Sequence, residues 1–152
     1  MNFKTFFHYV SYIQYPLLLI ALYFVVSPYF NGIEQIKCNP NLIFKSLNLM
    51  LIFMGLAISF STLQDTNRTQ NKFSKRIWES PNKGKIALVY LCILCAFLII
   101  YGLYVFFNNN NNVLNEISVG MIVLGIGMIG MLKTAIEMFE NHRKDKNTGY
   151  NK

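Results

Sequence analysis

The sequence predicts an all-α integral membrane protein, a four-helix bundle with both termini in the cytoplasm. Three observations lead there. The chain of 152 residues is 53% hydrophobic and only 14% charged, with mean hydropathy +0.33, too apolar and too charge-poor for an ordinary soluble domain. The charges are clustered, leaving four uncharged stretches at about 12–30, 46–64, 86–107 and 117–132. The basic residues between those stretches are divided very unequally between alternate connections. A single transmembrane domain over 1–152 is the expected organisation, with no separate soluble domain.

The opening MNFKTFFHYVSYIQY carries Phe3, Phe6, Phe7, Tyr9, Tyr12 and Tyr15. Amphipathic rings favour the headgroup region, so this segment reads as an interfacial anchor leading into span 1, with Pro16 in its first turn or at a kink. VVSPYFNG follows where a signal peptidase would need small residues, so span 1 is expected to remain as a helix. NGIEQIKCNPN (31–41) is the first outer connection, and Asn39-Pro40-Asn41 suits a turn and a helix start.

Span 2 leaves its apolar run through Ser59, Ser61, Thr62, Gln64, Asp65 and Thr66. On a helix, Asn48, Ile52, Gly55, Ser59, Thr62 and Thr66 recur at alternating intervals of 4 and 3 and share one face. Leu49, Phe53, Leu56, Phe60 and Leu63 make the neighbouring face, suited to lipid or bulky side chains. Small residues let helix backbones approach and hydroxyls bond across the contact, so the first face is a candidate packing seam.

The connection after span 2 contains QNKFSKRIWES. Phe73, Ile77 and Trp78 cluster among Lys72, Lys75 and Arg76, the pattern of a short basic helix (about 69–80) lying on anionic headgroups and closed by Ser80-Pro81 and Gly84. Span 3, IALVYLCILCAFLIIYGLYVFF, runs 22 residues without charge, roughly 33 Å of helix against a hydrocarbon core of about 30 Å. Cys92 and Cys95 form C-x-x-C inside it. Redox motifs begin a helix near water, so these two are expected to pack as small hydrophobes. NNNNN (108–112) is a polar outer connector.

Span 4 repeats the seam pattern with Gly120, Val123, Gly127, Gly130, Thr134, Glu137 and Asn141. Ala135, Ile136, Met138 and Phe139 keep the helix amphipathic to about residue 142, beyond the membrane. Spans 2 and 4 run in the same direction, so their seams can meet. LIFMGLAISFSTLQD and MIVLGIGMIGMLKTA align at an offset of 70, matching Gly55 with Gly125; this faint echo makes two tandem hairpins about a membrane-normal axis a candidate arrangement. At that offset Asp65 and Lys133 lie at similar depth and form a candidate ion pair, with Glu137 as the rival partner of Lys133; charges at a membrane edge are costly unless paired.

Twelve of the fourteen basic residues fall before span 1, between spans 2 and 3, or after span 4, leaving only Lys37 and Lys45 on the other side. Basic loops stay in the cytoplasm, which sets the orientation. The net charge of +7 therefore reads as topology and lipid contact, with no nucleic-acid partner. The abundance of Asn, Lys and Ile suggests a bacterial source and hence the cytoplasmic (inner) membrane.

His8 and His142 are the only histidines, neither lies inside a span, and no phosphate loop, nucleophile triad or intramembrane carboxylate pair occurs. No catalytic residue, metal site or cofactor is expected, and the chain is read as a non-enzyme. The leading functional expectation is an accessory or scaffold subunit that packs against another membrane protein or against itself. The alternative is a homo-oligomeric channel or small-solute carrier lined by the polar residues of spans 2 and 4.

Overall fold

The computed structural model describes residues 3–30, 39, 41–64, 72–108 and 112–147. In these the elements are all helices: α1 Phe3–Ser11, α2 Gln14–Phe30, α3 Asn41–Ser61, α4 Lys72–Glu79, α5 Pro81–Asn108, α6 Asn112–His142 and α7 Lys144–Asn147. Four helical stretches are long and apolar enough to cross a membrane: Thr5–Phe30, Asn41–Ser61, Pro81–Asn108 and Leu114–His142.

The first of these is two helices in series. Tyr12 and Ile13 donate to carbonyls three residues back, at 3.1 Å each, and tighten the junction into a single turn of 3₁₀ type. Pro16 falls in the first turn of α2, where its missing N–H would have had no helical partner. Pro28, in the last turn of α2, does remove a helical donor, the one that would reach the Phe24 carbonyl. The Ser27 hydroxyl takes its place, donating to Phe24 O at 3.2 Å. A serine beside the proline thus satisfies the carbonyl that the proline leaves without its helical donor.

Boundaries differ from the expected ones for local reasons. α3 begins at Asn41, five residues early, and ends at Ser61 because Leu63 and Gln64 close it with 3.2 Å bonds to Phe60 and Ser61 carbonyls. α5 begins at Pro81 rather than at Ile86. Ser80 O accepts the Gly84 N–H at 2.9 Å, the first bond of the helix, so Ser80-Pro81 both ends α4 and starts α5. Gly84 is therefore not a breaker. It is buried inside α5, and a Cβ there would overlap the Phe139 ring.

The spans pack as an open row, α2–α3–α6–α5. The largest face is between α3 and α6, followed by α5 with α6 and α2 with α3; α2 and α5 stand at the ends and share no extended face. At one end, the rings of Phe24 and Phe53 stack at 5.5 Å, and Ser27 and Ser46 hydroxyls meet at 3.5 Å. At the other, the Cys95 thiol donates to Gly125 O at 3.3 Å, and a Cβ on Gly102 would lie 2.9 Å from Ile122 Cγ1. The outward surfaces of α2 and α5 are aliphatic and aromatic, including Leu19, Leu22, Ile93 and Ile100, all well exposed. In water such a surface would drive association; in a bilayer it is ordinary.

Candidate functional site

The seam between α3 and α6 is a close backbone contact built in three levels one heptad apart. At the first level the Asn48 side-chain oxygen accepts the Gly120 N–H at 2.8 Å, and a Cβ on Gly120 would sit 2.8 Å from Asn48 O and 2.9 Å from Leu51 Cβ. At the second, glycine faces glycine. A Cβ on Gly55 would stand 2.8 Å from Val123 O, and one on Gly127 would overlap the Gly55 carbonyl. At the third, a Cβ on Gly130 would meet Thr62 Cγ2 at 3.1 Å, and Thr134 Oγ1 lies 3.4 Å from Thr62 O.

The hydroxyls along this seam bond to helix carbonyls. Ser59 donates to Gly55 O at 3.0 Å, Thr62 to Ser59 O at 2.7 Å and Thr134 to Gly130 O at 3.2 Å. Such bonding satisfies a hydroxyl in an apolar surrounding without needing a lumen. The backbones are also too close for water to stand between them at Gly55 and Gly127. The arrangement joins two helices through backbone and hydroxyl contacts.

The levels pair residues 48 with 120, 55 with 127 and 62 with 134, a constant offset of 72 between parallel helices. The offset of 70 that matches Gly55 with Gly125 is therefore not the contact register. Two residues along a helix turn it by about 200°, so Gly125 and Gly127 lie on opposite faces. Gly127 meets α3, and Gly125 meets α5, where a Cβ would lie 2.6 Å from Ile99 Cγ1. Glycines two residues apart on opposite faces leave a text alignment free to slip by two.

This register sets Lys133 level with Ser61. Lys133 and Glu137 are both exposed, and among the described residues no ion pair joins them. Asp65 lies outside the described residues, as does the side chain of Phe73. In α4, Lys75 and Arg76 are exposed whereas Ile77 and Trp78 are half-buried. The helix packs on α5 and α6, with Lys144 beyond the C-terminal end of α6 reaching Glu79.

That end of α6 is fastened by charge. Arg143 lies over the Phe139 ring at 5.4 Å and donates to Glu140 at 2.9 Å and to Asp145 at 3.0 Å. Lys144 reaches Glu79 at 2.9 Å, and Lys75 stands 3.8 Å from the same carboxylate. The hydrogen bond from Lys144, and then the lysine charges, hold the Glu79 carboxyl below its ordinary value of 4.5.

His142 Nδ1 lies 2.9 Å from Met138 O on its own helix, and His8 packs edge-on to Tyr12. Among the described residues no three His, Cys, Asp or Glu side chains gather as a metal site. Cys95 is buried and Cys92 exposed, so the two thiols serve different surroundings. A feature not anticipated from the sequence is a cleft of about 350 Å³ between α2, α3 and α6, with Ser27, Lys45, Ser46, Asn48 and Glu116 among its walls. Ser27 beside Pro28 in an apolar span was the available signal for it. Comparison with protein-family models, curated proteins and solved structures finds no match to this chain.

Proposed function

We propose that this chain is a membrane-embedded accessory or scaffold subunit, a row of four spans with both termini in the cytoplasm that packs against another membrane protein or a second copy of itself. The observation that carries this reading is the closed seam. Of the polar residues that could line a path (Ser59, Thr62, Gln64 and Thr134), Ser59, Thr62 and Thr134 bond to helix carbonyls along the contact between α3 and α6. What the molecule then offers to its surroundings is two long apolar flanks and a basic cytoplasmic end. The basic helix α4 rests on anionic headgroups in this reading, with Ile77 and Trp78 toward the apolar side and Lys75 and Arg76 toward phosphate.

The orientation follows from the distribution of basic residues. Two tandem hairpins, α2–α3 and α5–α6, about a membrane-normal axis belong to this reading, and the row order with α3 and α6 at its centre supports them. A homo-oligomeric channel is the second reading, and the polar walls of the α2–α3–α6 cleft are the one observation in its favour.

Purification from its native membrane in a mild detergent distinguishes the two. A stoichiometric membrane partner, or a self-assembly without solute flux in liposomes, is the expected result. A closed ring of copies that conducts ions or small solutes would replace the scaffold reading with the channel.

A further inference from the structure

We propose that the cleft between α4, the first turn of α5 and α7 is a binding site for the phosphate of one anionic phospholipid headgroup, held by Arg76, Lys83 and Lys144. The proposal rests on the reading that the four spans lie in a bilayer. The cleft has a volume of about 370 Å³ and is walled by Arg76, Glu79, Ser80, Pro81, Lys83 and Lys144. That is within the range of roughly 300–1,000 Å³ typical of small-ligand pockets.

Charge decides what it would hold. Three cations face one carboxylate, and that carboxylate is already engaged by Lys144 at 2.9 Å and approached by Lys75 at 3.8 Å. The neighbouring acids are engaged too: Glu140 and Asp145 both pair with Arg143. Arg76 and Lys83 have no ion-pair partner among the described residues. The acids at this end of the molecule thus leave a surplus of positive charge in the cleft. A guanidinium and ammonium groups converging on one concavity suit phosphate oxygens, the first by a fork of donors and the others as point charges.

Position decides the source of the phosphate. The cleft opens at the first turn of a spanning helix, and Ile86, the first of its apolar residues, is 70% exposed less than two turns further on. In a bilayer that depth is the headgroup layer, with acyl chains alongside Ile86 and phosphates at the level of Pro81 and Lys83. α7 matters because Lys144 closes the cleft from the far side while tied to Glu79. The site is thus assembled from three elements and is more specific than a diffuse basic surface.

The test is native mass spectrometry of the protein released from nanodiscs of mixed phosphatidylcholine and phosphatidylglycerol. Wild type is expected to retain phosphatidylglycerol preferentially. Lys83→Gln should lower that retention on the order of five-fold, and Arg76→Gln with Lys83→Gln should lower it further, following the usual contribution of a basic residue at an anionic surface. Both variants leave the Lys144–Glu79 tether in place. Lys133→Gln, which removes an exposed charge on α6 outside the cleft, should leave retention unchanged. Equal retention in all variants, or an equal fall in Lys83→Gln and Lys133→Gln, would overturn the site while leaving the membrane reading intact. Inorganic phosphate that raises the thermal stability of lipid-free wild type, but not of the double variant, would overturn it in favour of a soluble anion. Failure of the protein to enter nanodiscs at all would sink the membrane reading and the site together.

Discussion

The glycines of the seam differ in what a side chain would strike, and the difference is measurable. A Cβ at 127 overlaps a backbone carbonyl and one at 55 meets backbone atoms at 2.8 Å, whereas one at 130 meets the rotatable Thr62 side chain at 3.1 Å. Backbone cannot move aside as a side-chain terminus can. Gly127→Ala and Gly55→Ala should therefore destabilise by about 1–3 kcal/mol, the usual range for overpacking, and Gly130→Ala by less. Gly127→Leu should be worse than any of them. Ile126→Leu on the outward face of α6 supplies the neutral control, since that position is 57% exposed. Thermal aggregation of purified variants in one detergent would rank them, and a Gly127→Leu as stable as Ile126→Leu would refute the contact. Spacing grouped Asn48, Gly55 and Thr62 on one helix face and Gly120, Gly127, Gly130 and Thr134 on another, and these residues meet in the fold. Thr66 lies outside the described residues, and Glu137 is exposed. The register was not legible from spacing, because Gly125 and Gly127 look equivalent in text and face different helices. Phe53 shows the same limit: the periodicity marks it off the seam, and only the fold shows that it stacks on Phe24.

At the scale of elements, the surface helix α4 and the short α7 are joined by the Lys144–Glu79 bridge, both ends of which are partly open to solvent. The Glu79 carboxyl titrates below its ordinary value of 4.5, first because Lys144 donates to it. A carboxyl depressed in the folded state adds stability above its unfolded value, and that stability disappears as pH falls through the folded one. The tether should thus hold from neutral pH down to the ordinary carboxylate range and open only below it. The emission of Trp78, the only tryptophan, sits one residue from Glu79 and can report the opening in an acid titration. No transition is expected between about pH 7 and 5; one is expected below pH 4.5, and Glu79→Gln should remove it. A transition near neutrality that survives Glu79→Gln would contradict this account. This tether was not readable beforehand, because it joins residues 65 positions apart, on either side of two spans. The Ser80-Pro81 punctuation was readable, but it marks a start as well as an end.

At the scale of the whole molecule, hydropathy located four membrane-length helices because each carries a long stretch poor in charge, the pattern a bilayer core demands. It said nothing of their order. The row α2–α3–α6–α5 depends on which faces carry small residues, and α6 carries them on two faces, Gly120 and Gly127 toward α3 and Gly125 toward α5. Orientation is testable on its own: with native cysteines replaced, a cysteine introduced at position 74 should be protected from an impermeant reagent in intact cells, and one at position 110 labelled. The reverse pattern would invert the protein in the membrane. The central claim is that α3 and α6 close on each other within one chain, and one disulfide tests it most directly. The Cβ position of residue 130 lies 3.6 Å from Thr62 Cβ, inside the 3.5–4.5 Å range of disulfide geometry. In a background lacking Cys38, Cys92 and Cys95, Thr62→Cys with Gly130→Cys should oxidise to an intramolecular bond, seen as a monomer lighter by two hydrogens with no free thiol. A bond that forms only between chains would contradict the closed seam and assign these helix faces to an oligomer interface.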